Sequence, residues 1–413
     1  MKSLSAIASS LILTTTLAYS SDIYNLKITN TTTSDSFTFG GSNFLDTIEN
    51  FDENVLNSKL TSYSNTDNLA AVFDMRGLPV TLTVTGNNIV FNIASLGINE
   101  TFTGNTRDES VDALEDWFKV NGADTLERIM RELARVSPVD PIAGNSNSAM
   151  AKSVESDFTS GFLNTATKRK VSSANTKNGN TISISPTYKS LEVDDKNSSS
   201  YSLPISYSFV SDEDIDRKFS ISLPISYTEV EGATSYSLGL GFSYSLPIND
   251  SWIVTPALSY TIAGSADLAT LAQLGGASVT SSYTYELPNK HRISMGNMVG
   301  YYTTLKFYNG DYAYDPGITN TVFRNALMYS LDTNNVVDNT SVDIYAINTK
   351  YTGTELYNDS YNEFGFSFGY NKVNLNILSE TEKYAYEKDL KIGLSYLTSD
   401  KEKGIKINFG FTF

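Results

Sequence analysis

From about residue 180 onward, apolar and polar side chains alternate one by one. In 403–413, Ile405, Ile407, Phe409, Phe411 and Phe413 share one face, and Lys406, Asn408, Gly410 and Thr412 share the other. A period of two with a wholly apolar face marks a strand with one side withdrawn from water. The same pattern recurs upstream. Tyr201, Leu203, Ile205, Tyr207 and Phe209 alternate with Ser202, Pro204, Ser206 and Ser208, and Phe364, Phe366 and Phe368 oppose Gly365, Ser367 and Gly369. Polar breaks such as 212–214, 247–250, 332–335 and 399–402 separate the runs. The pattern predicts strands near 181–190, 200–210, 218–228, 234–246, 251–263, 277–287, 292–306, 320–331, 341–352, 361–370, 387–398 and 403–413. That makes twelve. If 372–378, with Val373, Leu375 and Ile377, is a separate strand, another accompanies it elsewhere and the count becomes fourteen. Pro204 and Pro224 fall in one shared phrase, Ser-Leu-Pro-Ile-Ser-Tyr. Proline removes a ladder hydrogen bond, so a bulge or strand end is expected at each.

Residues 21–148 carry mixed periodicity instead. Ser42 can cap a helix bearing Phe44, Leu45 and Ile48. Leu69 to Met75 and Val80 to Val84 alternate, and Gly86-Asn87-Asn88 reads as a hairpin turn into Ile89, Phe91 and Ile93. Thr106 with Glu109 forms a capping box ahead of Val111, Leu114, Trp117 and Phe118. Asn121-Gly122 is expected to end that helix, and Asp124 with Glu127 to start a second one over Leu126, Ile129, Met130 and Leu133. This is a small α+β domain in which Trp117 is a core residue. A further helix follows over Met150, Val154 and Phe158, and then a polar linker at 164–180. The domains are thus 21–148, a helix and linker at 149–180, and an all-β antiparallel unit at 181–413.

The start of the chain is an address. Lys2, an apolar stretch around Leu11, Ile12 and Leu13, and Ala18-Tyr19-Ser20 predict a signal peptide at 1–20, cleaved near Ser20. No other stretch holds eighteen consecutive apolar residues. An exported chain of this kind enters a membrane only as a closed transmembrane β-barrel. A soluble sandwich would repeat a strand every ~8–12 residues. Here the spacing is about 19, which suits ~10-residue spanning strands with connections.

Composition narrows the chemistry. The net charge is -16 with a single His and no Cys. An acidic balance excludes nucleic acid as a natural partner. The absence of Cys removes disulfides, thiolate nucleophiles and Cys-ligated metals. His291 sits beside Pro288-Asn289-Lys290 and reads as a solvated turn residue. Asp212, Glu213, Asp214 and Asp216 read as turn charge more readily than as a Ca²⁺ site. No catalytic residue, cofactor site or metal site is expected, and the chain is read as non-enzymatic.

The signal peptide, the absence of Cys, the aromatic dyad strands and the aromatic last strand together resemble Gram-negative outer-membrane β-barrel proteins. The resemblance implies outer-membrane lipid and the outer-membrane assembly machinery as partners. Glu402, Gly404, Ile407 and Phe409 fit the spacing of that machinery's recognition signal, four residues earlier than the usual end, with Phe411 and Phe413 completing the strand. Outer-membrane phospholipases place a Ser two residues after their His, on the same face. Here that position is Ile293, and Ser294 lies on the other face. A helix and linker before a twelve-stranded barrel are similar to the autotransporter translocator unit. In that family the helix threads the pore and ties an N-terminal passenger to the barrel. The passenger here is short and lacks the long β-helix common in the family. Two functions compete: an anchor or translocator for residues 21–148, and a porin-like passive channel for small polar solutes with the helix as a plug. Arg324, Lys391 and Lys406 are the lumen candidates, tuning ion preference or pairing with Glu155 and Asp157 on the helix. The even strand count puts both ends of the sheet on the periplasmic side. Connections 191–199, 229–233, 264–276, 307–319, 353–360 and 399–402 then face outward, with 264–276 and 307–319 expected to be the longest, and residues 21–148 lie outside or in the periplasm.

Overall fold

The computed structural model describes residues 22–163, 180–211, 214, 216–288, 291–309, 312–333, 335–337, 340–370 and 389–412. The expectations placed on the signal peptide, most of the linker, Asp212 and Glu213, the 372–378 run and Phe413 lie outside the described residues.

The N-terminal region folds as a six-stranded antiparallel sheet. Its strands are β1 (Tyr24–Asn30), β2 (Asp35–Gly41), β3 (Leu69–Met75), β4 (Leu78–Thr85), β5 (Asn88–Ile93) and β6 (Ile98–Thr103), in the order β2-β1-β3-β4-β5-β6. Between β2 and β3 lie the short helices α1 (Phe44–Ile48) and α2 (Glu53–Lys59). Asn43, not Ser42, caps α1: its side-chain oxygen accepts from the Leu45 and Asp46 amides. A long helix, α3 (Arg107–Val136), packs Leu133, Ile129 and Trp117 against Leu78, Ile93 and Phe102 of the sheet. It does not break at Asn121-Gly122. Asn121 turns its side-chain amide back onto the Trp117 carbonyl and so satisfies a group inside the helix. The remaining cost of Gly122, ~1 kcal/mol, is small beside the packing on either side. Trp117 meets Phe91, Phe102 and Phe118 edge-on, as a core residue does.

After α3 the chain turns through 137–148 into α4 (Ala149–Phe158) and one wider π-helical turn, Thr159–Leu163. The second body is a closed antiparallel barrel of twelve strands. The first is split by Ser185-Pro186 into β7 (Thr181–Ile184) and β8 (Thr187–Val193). The others are β9 (Lys196–Val210), β10 (Lys218–Val230), β11 (Ala233–Asn249), β12 (Trp252–Ser265), β13 (Thr270–Glu286) and β14 (Arg292–Leu305). After a small hairpin, β15 (Phe307–Asn309) with β16 (Tyr312–Tyr314), come β17 (Thr319–Asp332), β18 (Thr340–Gly353), β19 (Ser360–Tyr370), β20 (Asp389–Thr398) and β21 (Glu402–Thr412). Pairing of β21 with β7 and β8 closes the ring.

Two expectations are corrected. The supposed outward loop at 264–276 is a four-residue connection, because β13 begins at Thr270. Within β13, a Cβ at Gly276 would lie 2.6 Å from the ring of buried Tyr302, so the glycine makes room for that ring. That short connection leaves the one between β14 and β17, which carries the small hairpin, as the long one of the outward set. Pro204 and Pro224 do not end strands or sit in bulges. They face each other directly in the β9–β10 ladder. The missing donors are absorbed by local breaks, at Ser185-Pro186 on one side and between Ser222 and Ile225 in the β10–β11 pairing on the other.

Strand parity divides the barrel into two surfaces. Tyr236, Leu238, Leu240, Phe242 and Tyr244 are exposed on the outer face, while Ser243 and Ser245 are buried on the inner one. On β8 to β11, two aromatic rows border the outer belt. Tyr188, Tyr201, Tyr227 and Tyr236 form one, and Phe209, Phe219 and Phe242 the other. Eight residues separate Tyr201 from Phe209, roughly 20 Å along the axis at the usual strand tilt. An apolar band of this height between aromatic rows, around a polar interior, is the lipid-facing surface of an outer-membrane barrel.

Candidate functional site

The interior of the barrel holds α4. Asp140 sets up the entry: its carboxylate accepts from the Ile142 and Ala143 amides, and it lies 3.5 Å from the buried Arg76 guanidinium. Burial nonetheless pushes the Asp140 carboxyl above its usual range, against the pull of Arg76. Gly144 adopts a positive φ of 94° and passes so close to the Ala134 carbonyl that a Cβ would lie 2.5 Å away. Ser148 then caps α4 by accepting from the Ala151 amide.

From there the chain is ringed by wall residues. Asn147 bonds Ser198 and Ser200 of β9, and Lys152 bonds Ser226 and Thr228 of β10. Ser153 meets Thr261 of β12 at 2.9 Å. Asp157 accepts from Ser259 of β12 and Tyr302 of β14. The Phe158 ring lies under the Arg324 guanidinium of β17, 5.2 Å from its centroid. Phe162 fills the space left at Gly296, where a Cβ would be 2.5 Å from the ring. Partners on strands all around the ring place the helix in the lumen.

A buried ionic chain ties helix to wall. Glu155 pairs with Lys189 at 2.7 Å and with Lys406 at 3.5 Å. Lys406 also pairs with Glu363 at 2.7 Å, and Glu363 with Arg324 at 2.5 Å. Lys391 pairs with Asp343 at 3.1 Å. Arg324, Lys391 and Lys406 therefore all face the lumen. Glu155 meets Lys406, but Asp157 is held by hydroxyls rather than by a cation. Sequence reasoning missed Glu363, Lys189 and Asp343. The signal for Glu363 was its parity: it shares a face with Gly365 and Ser367, opposite the lipid-facing Phe364 and Phe366.

The N-terminal domain sits on one mouth. Phe44 donates its amide to the Asp267 carbonyl, Glu127 accepts from the Asp315 amide, and Arg131 donates to the Pro316 carbonyl. Tyr357 donates to the Ala134 carbonyl and Asn358 to that of Gly144. Val230, Ala233 and Leu268 of the barrel rim are built into the same apolar core as Tyr24, Leu26 and Ile28. The start of β7 and the end of β21 lie at the opposite mouth, where Thr181 pairs with Ser208 and Thr412 with Ser183. A cavity of ≈ 210 Å³ remains beside the helix, reaching that mouth along Ser183, Ser206, Ser208 and Lys218. Within the last strand, Ile405 and Phe409 are exposed on the outer face, and Ile407 and Phe411, of the same parity, are half-buried. At Gly404 a Cβ would lie 2.1 Å from the Ser190 carbonyl oxygen, on the seam that closes the barrel. His291 lies half-buried in the connection between β13 and β14. Its Nδ1 lies 2.7 Å from the Tyr329 hydroxyl.

No protein-family model matches the chain. A comparison with characterised protein sequences finds no match. Among solved structures, the β domain of the Bordetella autotransporter Brka is 12% identical with a TM-score of 0.43, covering 57% of this chain and 98% of that one. The translocator domain of the autotransporter NalP from Neisseria meningitidis is 9% identical with a TM-score of 0.45, covering 65% and 98%. The KdgM porin is 11% identical with a TM-score of 0.33, covering 55% and 98%. The chain resembles autotransporter translocator barrels and outer-membrane porins in outline, and the reading of its lumen rests on its own geometry.

Proposed function

We propose that the chain is a non-catalytic outer-membrane anchor that carries its own N-terminal domain through the barrel and holds it at the outer mouth. The observation that supports this most is the path of the chain. It leaves the domain at one mouth, runs down the lumen as α4, and starts β7 at the other mouth, beside the end of β21. With both ends of the sheet on the periplasmic side, the domain is external. The ionic chain through Glu155 and the shared core at Leu268 favour retention over release. The porin-like reading draws support from the cavity beside the helix, while the domain sits across the opposite mouth.

Protease shaving of intact cells tests the proposal. An external domain yields cleavage within residues 22–148 while the periplasmic connections at 211–217 and 287–291 stay intact. Protection of 22–148 together with cleavage at 354–359 or 399–401 contradicts it. The assembly role of Gly404, Ile407, Phe409, Phe411 and Phe413 belongs to the same proposal. Its test is an aspartate at Phe409 or Phe411, which should lower the amount of barrel recovered in the outer membrane.

A further inference from the structure

The lumen cations are not all accounted for by the ionic chain. Lys189, Lys406, Arg324 and Lys391 each have a carboxylate within 3.1 Å. Lys152 does not. Its ammonium donates to Ser226 Oγ at 3.0 Å and to Thr228 Oγ1 at 2.5 Å, and among the described residues no carboxylate lies within ion-pair distance. Those two bonds occupy two of its three N–H donors. Both hydroxyls accept from the ammonium, so their own hydrogens point elsewhere. Ser226 is also bonded to Ser237 at 2.6 Å. Lys152 lines the ≈ 210 Å³ cavity, and serines such as Ser202, Ser206, Ser222 and Ser226 line it too. Arg324, Lys218, Lys391 and Lys406 line it too, against the acids Glu155 and Asp343. Glu363 answers Arg324 and Lys406, and Asp343 answers Lys391, whereas Lys152 is held by hydroxyls. A half-buried ammonium held by neutral hydroxyls favours an approaching anion.

We propose that this cavity is a binding site for a small oxyanion, of the phosphate class, seated between Lys152 and the serine wall and entering from the mouth where β7 begins. The third N–H of Lys152 supplies a charge-assisted bond, and the hydroxyls supply the remaining donors. The site asks only for the barrel with its helix in place, so it stands whichever way the chain is oriented in the membrane.

The test is equilibrium dialysis of the folded full-length chain in non-ionic detergent against labelled inorganic phosphate at low ionic strength. Saturable binding of one equivalent is expected. Lys152→Gln keeps a side-chain donor for Ser226 and Thr228 but removes the charge, and binding should weaken by about tenfold or more. Lys350→Gln, on the exposed pair with Asp359, should leave it unchanged. Heat-modifiable gel migration confirms that each variant is folded. Absence of saturable binding in the parent chain, or equal binding by folded Lys152→Gln, overturns the proposal.

Discussion

Changing Glu155 to Gln isolates the contact that holds the helix in the lumen. The carboxylate lies 2.7 Å from Lys189 and 3.5 Å from Lys406. Lys406 keeps Glu363 at 2.7 Å, so the loss falls on Lys189. Lys189 is 2% exposed and, among the described residues, retains only the Ser146 carbonyl, at 3.0 Å. Removing one partner of a buried pair costs about 3–5 kcal/mol, because the other charge is left without compensation. The barrel ladder does not depend on this pair, so the cost appears as undocking of the helix. At ~1.4 kcal/mol per factor of ten, the undocked population rises by at least about 100-fold. The chain has no Cys, so Ser153→Cys gives a single reporter thiol at a position 6% exposed. Its reaction rate with a soluble maleimide reads the undocked population. The Glu155→Gln background should speed labelling by about 100-fold. Adding Lys189→Met, which removes the orphaned charge, should recover most of the protection. Labelling that stays within twofold of the parent would refute the argument that this pair retains the helix.

Further outcomes follow from the same geometry. Phe366→Arg, at the middle of the lipid-facing side of β19, should destabilise the barrel by about 2–4 kcal/mol in urea unfolding from lipid vesicles. Val120→Arg, on the water-facing side of α3, should change stability by less than about 0.5 kcal/mol. Leu268→Ala, in the rim residue built into the N-terminal core, should destabilise the 22–148 domain by about 2–5 kcal/mol and raise its protease sensitivity while the barrel stays heat-modifiable. Gly404→Ala should impair closure, since the added Cβ meets the Ser190 carbonyl oxygen, and it should reduce the folded band on gels.

The barrel was legible because lipid imposes a strict dyad: every spanning strand must show an apolar face outward, as 201–209 and 236–244 do. Boundaries failed where a residue had a tertiary reason the pattern does not carry. The stretch 264–276 was expected to be a connection, yet β13 begins at Thr270 and Gly276 serves the packing of Tyr302. Asn121-Gly122 suggested a helix end, yet Asn121 bonds within α3. In the N-terminal domain, β1, β2 and β6 were not recognised. Parts of the core they complete, such as Val230 and Leu268, come from residues more than a hundred positions away. For the lumen, the cations Arg324, Lys391 and Lys406 stood out as charges on the polar faces of strands. Their acidic partners Glu363 and Asp343 lay on the same faces and were identifiable by parity alone. No local pattern pairs Lys189 with Glu155, because only closure of the ring and entry of the helix bring them together.

The central claim is that the chain threads its own barrel. A disulfide between Ser153→Cys on α4 and Thr261→Cys on β12 tests it most directly, because the two hydroxyl oxygens lie 2.9 Å apart in a chain with no other Cys. The account predicts that the doubly substituted protein, folded and then cut by protease in the 164–179 linker, keeps its two fragments together on a denaturing gel until a reductant is added. Fragments that separate without reductant after complete oxidation would contradict it.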